Sequence, residues 1–136
     1  MRLMAVIWKF FRKELLKKMN LLDLFSEGSY GIQIVKGLDP LDEPVLYKTR
    51  YSAFFGTDLD GMLRDKGITT VLVSGTQTPN CVRSTAVDAL SHDFRSIVLA
   101  DCTSSRTEQI QQSNLADMEA AGIEIASSLD QILPIH

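Results

Sequence analysis

The sequence predicts an α/β fold, a three-layer sandwich built on a mostly parallel sheet. Three observations carry that prediction. Short, nearly continuous apolar runs such as "TTVLVSG", "SIVLA" and "IEIA" recur along the chain, which is how strands covered on both faces of a parallel sheet read, in contrast to the apolar/polar alternation of a half-exposed sheet. Stretches with helical spacing lie between them, so strand and helix alternate as βα units. The chain has 136 residues, about the size of one domain, and no repeat, low-complexity tract or linker divides it. Residues 1–136 are therefore read as a single domain.

The elements follow in order. "LMAVIW" is a short buried strand, and "KFFRKELLKKMN" a helix with Phe11, Leu15 and Met19 on one face and Lys9, Arg12, Lys13 and Lys17 around it. "LLDLFSEGSYGIQIVKGLDPLDEP" carries turn glycines and two prolines, so it reads as loop with one helical turn near Ile32 to Val35. "VLYK" is a strand. "GTDLDGMLRDKG" is a helix, with Thr57 as N-cap, Leu59, Met62 and Leu63 at helical spacing, and Gly67 as the stop. Then come strand "TTVLVSG", a helix from Pro79 to about His92, strand "SIVLA", a helix from about Thr107 to Ala121, strand "IEIA" and a last turn at "SLDQIL".

The net charge of -3 offers no general attraction to nucleic acid or to an anionic membrane. The basic cluster of Lys9, Arg12, Lys13, Lys17 and Lys18 reads as a solvated helix face. No apolar run approaches the ~20 residues needed to cross a bilayer, and no small-residue cleavage site follows Met1 to Trp8. A cytoplasmic location is expected, with neither nucleic acid nor membrane as partner. Cys81 and Cys102 lack paired or metal-type spacing and are expected as free thiols.

Cys81 follows the carboxyl end of the strand "TTVLVSG", where ligands sit in open α/β sheets. With Thr78 as N-cap and Pro79 at the first helical position, Cys81 falls at the third, inside the positive field of the helix start. That field and the unpaired amides of the first turn favour a thiolate, the form that attacks electrophiles. His92 is near the far end of the same helix and His136 is the last residue, so a Cys-His pair is not expected. Lys48 ends the strand "VLYK" and can reach the same sheet edge, where its charge would favour the thiolate further. On the residues alone the plainer readings stay open: a lone cysteine is most often a small packed hydrophobe and a strand-end lysine a solvated one. Cys102, with no motif around it, is read as packing; Arg50, Tyr51 and Phe54, next to Lys48, are candidate pocket residues.

The stretch "KTRYSAFFGTDLDGMLRDKGITTVLVSGTQTPNCVRSTAVDAL" resembles the isochorismatase-like cysteine hydrolases, a superfamily that includes nicotinamidases and N-carbamoylsarcosine amidohydrolase. The likeness extends from about "SEGSYGIQIVKGL" through "VLADCTSSRTEQIQQSNLADMEAAGIEI". It implies a Rossmann-like sheet, a small amide-like substrate and a covalent intermediate. The catalytic lysine of K-x-R-Y-S-A-F maps onto Lys48, and the cysteine after G-x-x-T-x-x-C-V onto Cys81. The resemblance also implies a non-proline cis peptide near Thr76–Gln77 and an oxyanion hole formed by the backbone amides of Gln77 and Cys81.

The family's third catalytic member is an aspartate in a first-strand segment like V-I-D-x-Q, and this sequence has no such segment. Its start resembles the second strand of the family, so the domain is read as lacking its first strand and as incomplete at its N-terminus. Loss of the aspartate implies impaired turnover even where Cys81 stays reactive; the alternatives are a binding or oligomerisation module, or a gene fragment. The Asp-x-His metal motif of nicotinamidases is also missing, and no phosphate-binding loop is present, so no metal or cofactor is expected. In a sheet ordered 3-2-1-4-5-6 the missing strand is central. The exposed edges predict a homo-oligomer.

Overall fold

The computed structural model describes residues 7–10, 29–34, 36–37 and 44–132, with the backbone alone for 7–10. Strand β1 (Ile7–Phe10) precedes a 3-10 turn (Tyr30–Ile32) and strand β2 (Val45–Lys48). Helix α1 (Leu59–Asp65), strand β3 (Thr70–Thr76), a π-helical turn (Thr78–Val82) and helix α2 (Arg83–Ser91) follow. Strand β4 (Arg95–Ser104), helix α3 (Glu108–Ala120), strand β5 (Glu124–Ala126) and a 3-10 turn (Leu129–Gln131) complete the order. This is the α/β alternation that the apolar runs imply.

All described pairings are parallel, and they form two sheets. β1 lies beside β2 in the register Ile7↔Val45 to Phe10↔Lys48, and β3, β4 and β5 form a second sheet in that order. Among the described residues, β1 and β3 each have a strand on one side only. Of the strand expected from "LMAVIW", Ile7 and Trp8 lie in β1, which runs on to Phe10; Leu3, Met4, Ala5 and Val6 lie outside the described residues. Lys9 and Phe10 belong to this strand rather than to the helix expected from residue 9; Arg12, Lys13, Lys17 and Lys18 lie outside the described residues.

Local chemistry explains most boundaries. Gly67 adopts φ +63°, and its amide and that of Ile68 return to the carbonyls of Arg64 and Leu63, which ends α1. Thr107 caps α3, its hydroxyl accepting from the Ile110 amide at 3.2 Å. β4 runs longer than "SIVLA" because it bulges: Val73 pairs with Val98, but the next pair is Gly75 with Thr103. The bulge carries Asp101 and Cys102 outward. Cys102 is exposed, which corrects the expectation that it packs.

Val73 and Val98 of the three-stranded sheet are buried beneath Val82 and Ala86 of the turn and α2, together with Leu115 and Met118 of α3 and Ile123. The opposite face of β4 buries Ile97 and Leu99 with Ala126. Four consecutive buried residues, Ser96 to Leu99, make β4 covered on both faces, which is why it reads as an unbroken apolar run. A separate cluster around α1 joins Leu46 of β2 to Ala53, Phe54, Leu59, Leu63 and Phe94. No helix among the described residues is long and apolar enough to cross a membrane.

Candidate active site

Lys48 is the last residue of β2 and Cys81 lies five residues beyond the end of β3, so the two side chains come from carboxyl ends of strands in different sheets. They meet: Lys48 Nζ is 3.5 Å from Cys81 Sγ. The lysine is 1% exposed, and it is buried because the chain after β2 folds back over its head. Lys48 Nζ donates to the carbonyls of Arg50 at 2.9 Å and Tyr51 at 3.0 Å. An ammonium has three N–H donors to offer such acceptors. Burial pushes the Lys48 ammonium below its ordinary value of 10.5, and Cys81, by charge and by hydrogen bond, pulls it part of the way back.

The turn around Cys81 has the expected cis peptide, at Thr76–Gln77. Gly75, at φ +118°, permits the departure of the chain from β3. Thr78 does not act as the N-cap. Gln77 holds the cap position, and the carbonyl of Gln77 accepts from the amides of Asn80 at 3.1 Å and Val82 at 3.5 Å. The Thr78 hydroxyl points inward, to Gln111 Oε1 at 2.6 Å and the Ser104 carbonyl at 3.1 Å. The first turn is accordingly π-helical, wider than the α-turn expected, and Cys81 stands fourth in it. Cys81 is half-buried. A second tie holds the lysine loop to its helix: the Ala53 amide donates to Thr85 Oγ1 of α2 at 3.1 Å.

A cavity of about 530 Å³ opens between the loop after β2 and the start of the Cys81 helix, lined by Arg50, Ser52, Phe55, Pro79, Arg83, Ser84, Val87 and Asp88; neither Lys48 nor Cys81 is among its lining residues. Of the three candidate pocket residues, Arg50 lines it, with its guanidinium 5.9 Å from the Phe55 ring centroid. Tyr51 is not among the lining residues, and it serves the site through the carbonyl that holds Lys48. Phe54 is in the core, 7% exposed, stacked on His92 at 5.1 Å and near Phe94 at 6.0 Å. The lining ring is Phe55, 60% exposed. Of two adjacent phenylalanines in a bent loop, only one can face the cavity.

Thr85, Arg83 and Gln111 were not singled out by the sequence reading. Gln111 does leave a signal, since it shares a buried helix face with Leu115 and Met118 at i, i+4 and i+7. A polar side chain in an apolar stripe has to be hydrogen-bonded inside. Among the described residues no three His, Cys, Asp or Glu side chains converge to hold a metal ion.

The Isochorismatase domain matches residues 4–130. The chain belongs to the isochorismatase family. Among its relatives, a probable inactive nicotinamidase of Arabidopsis thaliana is 38% identical over 101 residues, 72% of this chain and 52% of that protein. The maleamate amidohydrolase of Pseudomonas putida is 38% identical over 88 residues, 65% of this chain and 41% of that protein. The crystal structure of an isochorismatase family protein from Desulfovibrio vulgaris superposes with a TM-score of 0.84 at 40% identity, covering 97% of this chain and 76% of that one. This isochorismatase-like chain thus spans about half the length of the curated relatives it matches. Its family is one of hydrolases, and its fold is theirs.

Proposed function

We propose that this chain is a cysteine hydrolase that forms a covalent intermediate on Cys81 from a small amide-like molecule. The observation that carries the reading is the buried Lys48 ammonium 3.5 Å from Cys81 Sγ. In the proposed step the thiolate sulfur bonds to the carbonyl carbon, the C–N bond breaks, and Lys48 gives its proton to the departing nitrogen. The backbone amides of Gln77 and Cys81 receive the oxyanion. Water then cleaves the thioester while neutral Lys48 takes back a proton. A buried lysine with a lowered proton affinity suits both halves of that exchange. Arg50 at the cavity rim supports a substrate that also bears a carboxylate, in keeping with a relative named for maleamate.

A second reading is favoured by a relative described as a probable inactive nicotinamidase: acylation of Cys81 proceeds, and turnover stalls at the thioester. Iodoacetamide labelling at neutral pH, read by peptide mass spectrometry, tests the nucleophile. Cys81 is expected to react before Cys102, whose thiol is held up by desolvation and by the neighbouring Asp101. Equal labelling, or preference for Cys102, overturns the assignment. Incubation with p-nitrophenyl acetate and with maleamate separates the two readings. A persistent acetyl adduct on Cys81 with maleamate hydrolysis near background supports the stalled form. Steady maleamate turnover that disappears in Cys81→Ala supports the complete enzyme.

The protein is further proposed to act as a homo-oligomer, in which a second copy covers the side of β3 that has no strand partner among the described residues. Each backbone amide left unpaired in a buried edge costs about 1 to 3 kcal/mol, against roughly 5 to 15 kcal/mol for a whole domain. The expected result is a melting temperature that rises with protein concentration, together with sedimentation faster than that of a monomer. A monodisperse monomer with a concentration-independent melt overturns it.

A further inference from the structure

The turn that carries Cys81 is held from behind by one buried amide. Gln111 of α3 is 8% exposed. Its Nε2 donates to Thr103 Oγ1 at 2.9 Å, and its Oε1 accepts from Thr78 Oγ1 at 2.6 Å and Ser105 Oγ at 2.9 Å. Thr103 passes its own hydroxyl proton to the Ala100 carbonyl at 3.0 Å, so toward Gln111 it can only accept, and that fixes which way the amide points. Thr78 is fully buried. It has one hydroxyl proton and two acceptors in reach, of which Gln111 Oε1 is the nearer. One side chain therefore links the β4 bulge at Ala100 and Thr103 to the first residue of the π-helical turn, three positions before Cys81.

We infer that Gln111 is a positioning residue for Cys81: through Thr78 it anchors the turn so that the sulfur stays within reach of Lys48 Nζ. The inference rests on the reading of Cys81 as nucleophile. Other groups hold the helix further on, with Val82 in the core and Arg83 paired to Asn114 and Asp117. Thr78 with its Gln111 partner is the side-chain tie at the turn's start. A polar group placed there only to satisfy the core would leave the chemistry of Cys81 untouched when replaced by an apolar residue of similar size.

The test follows the iodoacetamide labelling of Cys81 and Cys102 together, in the full chain, from pH 6 to pH 10, in Gln111→Leu, Thr78→Val, Thr78→Ser and the Gln111→Leu/Thr78→Val double variant. Cys102, exposed in the folded chain, is the reference thiol, and circular dichroism reports whether each variant is folded; a displaced turn in a folded variant slows Cys81 alone. Gln111→Leu and Thr78→Val are each expected to lower the Cys81-to-Cys102 ratio roughly tenfold near neutral pH, one pH unit's worth, and to move the Cys81 profile to higher pH. Thr78→Ser keeps the hydroxyl and should keep the wild-type profile. The double variant should be no worse than either single change, since both cut one network. An unchanged Cys81 profile in folded Gln111→Leu overturns the inference. Where that variant fails to fold, an unchanged profile in Thr78→Val, which exchanges a hydroxyl for a methyl, does the same. Wild-type protein without preference for Cys81 sinks the nucleophile and the inference together; a preferred Cys81 indifferent to Gln111 sinks the positioning role alone.

Discussion

Lys48→Met should slow alkylation of Cys81 by about tenfold or more at neutral pH and displace its reactivity to higher pH, because the sulfur loses an ammonium 3.5 Å away. Methionine fills much of the same volume, so the change removes charge and donors more than packing. It also removes the donor from which the carbonyls of Arg50 and Tyr51 accept. A second readout is the pH dependence of stability. Burial lowers the proton affinity of Lys48 in the folded chain below the ordinary 10.5, so the unfolded chain binds more protons between those two values. Stability contributed at this position therefore rises with pH across that window: the cost of burying the ammonium is fully present below it and gone above 10.5. Cys102, held up by desolvation and by Asp101, contributes with the opposite sign, but it is common to both proteins. The wild-type minus Lys48→Met difference in urea midpoint is thus expected to grow from pH 8 toward pH 10.5. A flat difference together with an unmoved labelling profile removes Lys48 from the site.

Met118→Ala should have the largest effect on stability, a loss of about 2 to 5 kcal/mol. Met118 is 1% exposed and packs α3 onto Val73, Val98, Val82 and Ile123. Truncation removes contacts from both strands and from the residue next to Cys81, and the rigid sheet beneath collapses little into the space. Against a domain stability of roughly 5 to 15 kcal/mol this is a large share. Urea denaturation followed by circular dichroism measures it. Because Val82 shares the cavity wall, Met118→Leu, which preserves volume, should restore most of the loss. A change under 1 kcal/mol in Met118→Ala would show that the α3 contact is peripheral.

Where the physics is local, the sequence was a faithful guide. The bounds of β2 are those of "VLYK", and the stop at Gly67 has its left-handed conformation. The Lys48–Cys81 pair was legible through the family resemblance, and the residues alone left both side chains with plainer readings. Long-range competition decided the rest. Thr78 has the chemistry of a cap, but a buried amide from α3 claims its hydroxyl. Phe54 and Phe55 are indistinguishable until the bend of the loop sends one to the core and the other to the cavity. Cys102 follows an apolar run, yet the β4 bulge turns it outward. In each case the deciding partner is remote in sequence, so no local window contains it.

The Lys48 ammonium is gripped by carbonyls two and three residues further along its own chain, and this makes the cation a small chelate ring closed by the segment Lys48–Tyr51. Such a ring forms by closing a very short loop, with little entropy to overcome, and its geometry is written into four consecutive residues. The charge therefore travels with that segment. Two of the groups that hold the cation are thus fixed within this segment, and Cys81 Sγ adds its contact from beyond the other sheet.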